Sequence, residues 1–185
     1  MATKRKTGGF ELEEATIGGI HRAFRAGKLS ARELVNAYLK RIKRLDQQGP
    51  TINAVVTVDA KAHARAGALD DALASTGKLQ GPLHGIPVLL KDNIDTADIP
   101  TSYGNVAFMN HHPARDATVV SRLKAAGAII LGKTTLPDFA TSWWGYSSRS
   151  GETCNPYDPA RDPGGSSAGT GAAIAANLAT VGLGT

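Results

Sequence analysis

The sequence predicts an α/β domain, in which a sheet carries helices on both faces, from three observations. Short apolar runs typical of buried strands alternate with amphipathic or alanine-rich stretches typical of helices. The 185 residues are 42% hydrophobic and 20% charged, which are ordinary values for one globular domain. Aromatic residues make up only 5% while alanine and glycine are abundant, which favours close-packed layers of small side chains.

The elements follow from periodicity and from turn residues. A helix is predicted over 16–26, and another begins after Ser30, which with Glu33 forms a capping-box pattern. A polar segment at 95–110 is predicted to be irregular and at the surface. The helix over 116–126 is expected to turn Val119, Val120 and Leu123 inward. The other predicted helices cover 60–74 and 171–178, and the predicted strands cover 54–58, 85–91, 128–131 and 179–183.

The charge pattern argues against two classes of partner. The net charge is +5, but the basic residues are scattered and the one dense cluster is Lys4–Lys6. A nucleic-acid footprint would gather on one face, so nucleic-acid binding is kept only as an alternative that predicts steeply salt-dependent binding. No stretch is long and apolar enough to span a bilayer, and no secretory signal is visible. We therefore expect a soluble cytoplasmic protein without a membrane partner.

Residues 127–134 match the phosphate-binding loop pattern G-x-x-x-x-G-K-[ST]. Such a loop needs a strand before its first glycine and a helix after its lysine. Here a helix is predicted before Gly127, and the intervening residues 128–131 are predicted to be a strand. Their amides would pair within a sheet, so the pattern does not indicate a nucleotide site.

Residues 165–169 match G-x-S-x-G, the nucleophile elbow of α/β-hydrolases. That elbow needs a strand that leads into the serine and a histidine later in the chain. Residues 162–164 do not resemble a strand. Every histidine precedes Ser167, which excludes a Ser–Asp–His order within these residues: His21, His63, His84, His111 and His112.

The sequence does not indicate a metal site or a reactive thiol. The groupings that could be considered as metal ligands, His111 and His112 with Asp116 or His84 with Asp92, lack the usual zinc spacing. We therefore predict no metal site. A single cysteine, Cys154, excludes an intrachain disulfide, and a lone cysteine is interpreted as inert packing.

Without a usable histidine, the bases left to activate a serine are lysine, aspartate and glutamate. Lys91 ends an apolar predicted strand, where desolvation would lower its pKa and leave a neutral amine that can accept a proton. The alternative is a lysine at a strand end that points to water. The residues alone favour that alternative.

Three blocks of the chain together resemble the amidase signature family. Residues 81–93 (GPLHGIPVLLKDN) resemble the lysine strand of the family, and residues 126–134 (AGAIILGKT) resemble its next block. Residues 155–158 (NPYD) and 163–169 (PGGSSAG) resemble its serine–glycine signature. The blocks occur in the family's order and at compatible spacings, so together they are highly specific.

The resemblance implies the α/β/α fold of that family, a mixed sheet flanked by helices, here incomplete at the C-terminus. Residues 14–185 would be the N-terminal portion of a single amidase signature domain, preceded by a disordered basic tail over residues 1–13.

The resemblance also implies a triad of a serine, a serine after a cis peptide bond, and a lysine. Lys91 matches the family lysine, the final base, and Ser166 matches the bridging serine. Ser166 would pass a proton from the nucleophile to Lys91 and then deliver one to the leaving amine. No cofactor is implied. The remaining matches are two glycines that permit the tight loop, a supporting serine and two residues of a pocket-lining stretch: Gly164, Gly165, Ser167, Ala140 and Ser142.

The sequence departs from the family pattern at its end. In the family, the acylated serine lies in a D-x-G-G-S block directly after a G-[LI]-G-[ST] stretch, and this sequence ends with that stretch, residues 182–185. The nucleophile and the glycine amides of the oxyanion hole are therefore not among these residues. We expect an N-terminal portion that is inactive alone.

The main hypothesis is an amidase that hydrolyses a small carboxylic amide to an acid and an amine or ammonia. A homodimer is kept as a candidate assembly. One alternative is the amidase subunit of a tRNA-dependent amidotransferase, which would need a partner protein. Another is a non-catalytic truncated product or binding module, whose exposed sheet edge would pair with other chains.

Overall fold

The computed structural model describes residues 6–7 and 9–185. Its first elements are a hairpin of β1 and β2 and the helices α1 and α2, the second of which runs on into a π-helical turn at Ile42–Asp46. The bounds are β1 Lys6–Thr7, β2 Phe10–Glu11, α1 Ile17–Arg25, α2 Ala31–Arg41, β3 Val55–Val58, α3 Ala62–Thr76, β4 Pro87–Lys91, α4 Thr118–Ala125, β5 Ile129–Thr134, β6 Tyr146–Ser147, β7 Gly151–Glu152, α5 Ala168–Ala175 and β8 Val181–Leu183.

The central sheet has four strands in the order β3–β5–β4–β8. β4 runs parallel to both of its neighbours, whereas β3 is antiparallel to β5. The sheet is therefore mixed, as the family resemblance implies. In the β4–β5 ladder, Leu90 lies opposite Lys133 and Lys91 opposite Thr134.

Both faces of the sheet are buried, and alternate residues of β4 enter different cores. Leu89 belongs to the larger core, which also contains side chains of α1, α2, α3 and α5. Val88 and Leu90 belong to a smaller core on the other face with Val120 of α4. This division follows from the two-residue period of a strand, and it confirms the prediction of helices on both faces.

The start of α2 follows its sequence signal. Ser30 accepts a hydrogen bond from the amide of Glu33 at 3.1 Å, and the Glu33 carboxylate accepts one from the amide of Ser30 at 2.8 Å. This is the predicted capping box, which satisfies two amides that an isolated helix end would leave unpaired.

Several local predictions differ from the structure. The last helix, α5, covers Ala168–Ala175 instead of 171–178. β5 continues to Thr134 instead of ending at Leu131. The segment 95–110 is not all at the surface, because Ile99, Thr101 and other early side chains in it are buried. Val119 is 39% exposed, since Val120, one position further round the helix, is the residue that α4 buries against the sheet.

The N-terminal segment is ordered earlier than the predicted boundary at residue 14. Residues 1–5 and 8 lie outside the described residues, so the prediction of a disordered tail is not addressed for them. Leu12 is buried in the larger core and Glu13 pairs with Arg41 at 3.1 Å. These contacts hold the chain against α2 before residue 14. Within the described part of the chain, no helix is long and apolar enough to cross a membrane.

Candidate active site

Lys91 is the last residue of β4 and is completely buried. Its Nζ donates hydrogen bonds to Oγ of Ser166 at 2.7 Å and to Oγ1 of Thr185 at 2.8 Å. Burial lowers the pKa of Lys91, because desolvation penalises the ammonium form. The interpretation that this lysine points to water is therefore wrong, and its amine faces hydroxyl groups instead.

Ser166 lies in the loop that leads into α5, directly after a cis peptide bond between Gly165 and Ser166. Gly164 has a φ of +83°, a left-handed conformation that favours glycine. A Cβ on Gly165 would lie 2.8 Å from the carbonyl carbon of Trp143, so no side chain fits there. The loop therefore needs glycine at both positions, one for conformation and one for space.

Asp162 stabilises this loop by binding two backbone amides. Its carboxylate accepts hydrogen bonds from the amides of Gly164 at 2.6 Å and Gly145 at 2.8 Å. Behind the loop, the amide of Gly169 donates to the carbonyl of Thr135 at 3.1 Å. The start of α5 is thereby fixed to the chain that leaves β5.

Ser167 and Thr185 contact each other beside Lys91. Oγ of Ser167 accepts from the amide of Thr185 at 3.2 Å and donates to its carbonyl at 3.1 Å. Nδ2 of Asn93 donates to Oγ1 of Thr185 at 3.2 Å, the same oxygen that receives Lys91. Ser167 thus binds the segment after β8, and Thr185 and Asn93 are neighbours of Lys91 that sequence reasoning missed.

A cleft of about 200 Å³ opens beside Ser166. Ala140, Ser142 and Trp143 contribute to its walls, so the structure places both predicted pocket residues beside Ser166. Ala140 has a φ of +59°, and its amide donates to the carbonyl of Pro137 at 2.8 Å. Trp143 is 82% exposed at the rim.

Asp138 holds the wall of this cleft. Its carboxylate accepts from the amide of Ser148 at 2.7 Å and from Nδ2 of Asn105 at 2.7 Å, and Oγ of Ser148 also donates to it. Burial alone would raise the pKa of Asp138, but these hydrogen bonds outweigh that effect and hold it below its usual value. The residues next to Ala140 are therefore fixed from two directions.

Lys133 is a second buried lysine, to which the sequence analysis assigned no role although it lies both in the phosphate-loop pattern and in the family block 126–134. It lies inside β5 and is 0% exposed. Its Nζ donates to the carbonyl of Ile94 and to Oγ1 of Thr101, both at 2.7 Å, and lies 3.4 Å from Oδ1 of Asp92. Desolvation lowers its pKa to about 8, although the carboxylate of Asp92 acts in the opposite direction. The amine of Lys133 therefore makes its contacts inside the fold and is not presented to a phosphate group.

The other candidates of the sequence do not form a site. His84 is buried, its Nδ1 accepts from the amide of Gln80 at 3.0 Å, and burial lowers its pKa. Burial raises the pKa of the Cys154 thiol, which agrees with inert packing. Among the described residues, no group of three or more histidine, cysteine, aspartate or glutamate side chains could hold a metal ion.

Comparison with known proteins agrees with this geometry. The model of the Amidase family matches residues 33–185. The chain belongs to the amidase family. Peptide amidase from Stenotrophomonas maltophilia is 43% identical in sequence and superposes with a TM-score of 0.87, over 91% of this amidase chain and 35% of that protein.

Other relatives carry different names. A glutamyl-tRNA(Gln) amidotransferase subunit from Symbiobacterium thermophilum is 41% identical over 167 residues, which cover 90% of this chain and 34% of the relative. Fatty acid amide hydrolase is 26% identical with a TM-score of 0.86, over 94% of this chain and 30% of that protein. The chain thus spans about a third of the length of the amidase-family proteins it matches.

Gly165→Ala is expected to disrupt the serine loop, because the new Cβ would meet the Ser142–Trp143 backbone within 3 Å. We expect a loss of at least 2 kcal/mol of unfolding free energy, about the size of other overpacking effects. Urea unfolding followed by circular dichroism measures it. Gly171→Ala is the matched control, since a Cβ there has nothing within 4 Å in α5 and should be neutral or stabilise by about 0.5–1 kcal/mol. Equal effects of the two changes would contradict the argument.

Lys133 is expected to make stability depend on pH in the alkaline range. Its pKa is about 8 in the fold, against a usual value of 10.5. Below pH 8 both folded and unfolded chains hold the proton, so Lys133 adds no slope. Between these two values the unfolded chain holds one more proton, and the unfolding free energy should rise by up to about 1.4 kcal/mol per pH unit. The measurement is the difference between the wild type and Lys133→Met in urea unfolding from pH 7.5 to 10; a difference that falls with pH would contradict it.

Proposed function

We propose that this chain supplies the lysine and the bridging serine of an amidase that hydrolyses a carboxylic amide. The observation that carries the proposal is the 2.7 Å hydrogen bond between Nζ of Lys91 and Oγ of Ser166. A lysine whose pKa is lowered by burial can hold a neutral amine and act as a base. A serine hydroxyl can both donate and accept, so it can relay a proton.

The proposed reaction uses the pair twice. As a nucleophilic serine attacks the amide carbon, Ser166 takes the proton of that serine and passes its own proton to Lys91. When the C–N bond breaks, Lys91 returns a proton through Ser166 to the leaving nitrogen, and an acyl-enzyme remains. A water molecule then repeats the sequence, and the products are the acid and the amine or ammonia.

Two neighbouring residues support this assignment. Thr185 gives Lys91 a second acceptor besides Ser166, and Asn93 donates a hydrogen bond to the hydroxyl of Thr185. The lysine amine is therefore fixed between two oxygens before any substrate binds. The cleft beside Ser166, which Ala140 and Ser142 help to line, is the proposed place for the substrate.

A fusion tests the proposal. The 185 residues are joined to the downstream two thirds of the Stenotrophomonas maltophilia peptide amidase, and release of ammonia from simple aliphatic and aromatic amides is followed. The fusion should turn over at least one amide, whereas the 185-residue chain alone should not, because the D-x-G-G-S block is not among its residues. A folded fusion that hydrolyses no amide would count against the proposal, and so would turnover by the chain alone that depends on Ser166.

A second candidate is the amidase subunit of an aminoacyl-tRNA amidotransferase. It is favoured by relatives at 38–41% identity that are named as subunits of glutamyl-tRNA(Gln) amidotransferase. In that case the ammonia released from the amide would be transferred onto an aminoacyl-tRNA. Activity of the fusion that appears only with charged tRNA and a partner protein would favour this candidate, whereas activity on free amides without them would favour the first. A homodimer and a cytoplasmic location remain predictions.

A further inference from the structure

The two buried lysines lie on opposite faces of the same pair of strands. Leu90 is opposite Lys133 in the ladder, and the side chain of Leu90 enters the smaller core beside α4. Lys91, one residue further along β4, projects to the other face, where α5 and Ser166 lie. The proposed proton relay does not use Lys133, yet a fully buried charge is costly unless it is paired.

Two hydrogen bonds in series join Lys133 to Lys91. Nζ of Lys133 donates to the carbonyl of Ile94 at 2.7 Å, and the amide of Ile94 donates to the carbonyl of Lys91 at 3.0 Å. Lys133 also binds Oγ1 of Thr101 at 2.7 Å and Oγ1 of Thr96 at 3.3 Å. The turn that follows Lys91 is therefore held to β5 by the ammonium group of Lys133, in addition to the backbone hydrogen bond from the amide of Asp92 to the carbonyl of Thr134 at 3.0 Å.

Lys133 also balances the carboxylate that follows Lys91 in the chain. Oδ2 of Asp92 accepts from the amide of Ser102 at 3.1 Å and from its hydroxyl, but Oδ1 has no hydrogen bond and faces Nζ of Lys133 at 3.4 Å. Asp92 is 1% exposed, so water cannot screen its charge.

The other groups near the two lysines do not take over the neutralisation of the Asp92 carboxylate. Asp95 and Arg149 act on Lys133 from a distance and with opposite signs. The amine of Lys91 contacts the hydroxyls of Ser166 and Thr185 and, at 3.5 Å, the main-chain oxygen of Thr185, and neither residue carries a charged side chain. A charge left on Asp92 would therefore act on Lys91 without compensation.

We propose that Lys133 is a positioning residue for Lys91, which it serves by fastening the turn after β4 and by neutralising the buried charge of Asp92. The inference rests on the proposed function, in which Lys91 must reach Ser166 and must be able to lose its proton. Without Lys133, the turn after Lys91 loses its side-chain link to β5 and keeps the backbone hydrogen bond from Asp92 to Thr134, and the Asp92 carboxylate favours the protonated, charged form of Lys91.

The test is the pKa of Lys91, measured in the 185-residue chain by NMR titration of the lysine ¹³Cε resonances. Lys91→Arg identifies the resonance. Lys133→Met is expected to raise the pKa of Lys91 by about one unit, and Lys133→Met with Asp92→Asn is expected to return it to the wild-type value. Lys133→Gln removes the charge but keeps a donor for the Ile94 carbonyl, so it decides the question if Lys133→Met does not fold.

The control is Lys40→Met, which removes an exposed lysine of α2 and should leave the pKa of Lys91 unchanged. A folded Lys133 variant with an unchanged Lys91 pKa would overturn the inference, and so would a double variant in which the pKa stays raised. The NMR measurement of the Lys91 pKa does not depend on hydrolysis of an amide. A fusion that hydrolyses no amide while Lys91 shifts as expected would refute the proposed function alone, and an active fusion with an unmoved Lys91 would refute this inference alone.

Discussion

Lys91→Met and Ser166→Ala are each expected to lower the amidase activity of the fusion at least 1000-fold. In the proposed relay both side chains belong to one proton path, joined by the 2.7 Å contact, and removing either would leave the nucleophile without a base. Positioned acid–base groups contribute about 10²–10⁴-fold to rates. The double variant should be no slower than the slower single variant, because residues that act as a unit are not additive.

The measurement is kcat and KM for one amide across pH 5–10, with unfolding curves for each variant. The chosen control is Ser167→Ala, which removes the adjacent hydroxyl and its contact with Thr185 but spares the path between Lys91 and Ser166. It should cost far less activity than Ser166→Ala. If Ser167→Ala were the more damaging change, or if the losses of Lys91→Met and Ser166→Ala multiplied in the double variant, the proposed relay would be wrong.

The strand that carries Lys91 was predictable from the sequence, but the burial of its amine was not. The apolar run of residues 85–91 identifies β4 on its own, since strands buried on both faces read as continuous apolar segments. What covers the lysine is Ser166, which lies 75 positions further along the chain. A strand end looks solvated until that distant loop is placed on it, so the role of Lys91 came from family resemblance.

Two predictions of the fold differ from the structure around Lys133. The predicted strand ends at Leu131, whereas β5 continues through Lys133, and the segment 95–110 is predicted to lie at the surface, whereas Thr101 in it is buried. Thr101 is a hydrogen-bond partner of Lys133, so the two polar side chains satisfy each other inside the fold. Periodicity treats each polar residue as a sign of solvent, and it cannot detect polar groups that satisfy each other inside the fold.

Lys133→Met is expected to lower the unfolding free energy by about 3–5 kcal/mol at pH 7, the usual cost of removing one partner of a buried ion pair. The change leaves the Asp92 carboxylate buried, with Oδ1 facing an apolar side chain, and it removes the donors of the Ile94 carbonyl and the Thr101 hydroxyl. Since domains are stabilised by only about 5–15 kcal/mol, the midpoint of thermal unfolding should fall by about 10 °C.

The double variant separates charge from packing in this prediction. Lys133→Met with Asp92→Asn removes both charges, and well-packed neutral replacements of buried pairs are often close to neutral in stability. It should recover at least half of the loss, while the unpaired Ile94 carbonyl keeps the recovery incomplete. Thermal and urea unfolding of both variants measure the effect, and the exposed-site change Lys40→Met should stay within about 0.5 kcal/mol. A Lys133→Met chain that melts within about 2 °C of the wild type, by the same size scaling, would mean that the ammonium group is not what holds the turn after β4.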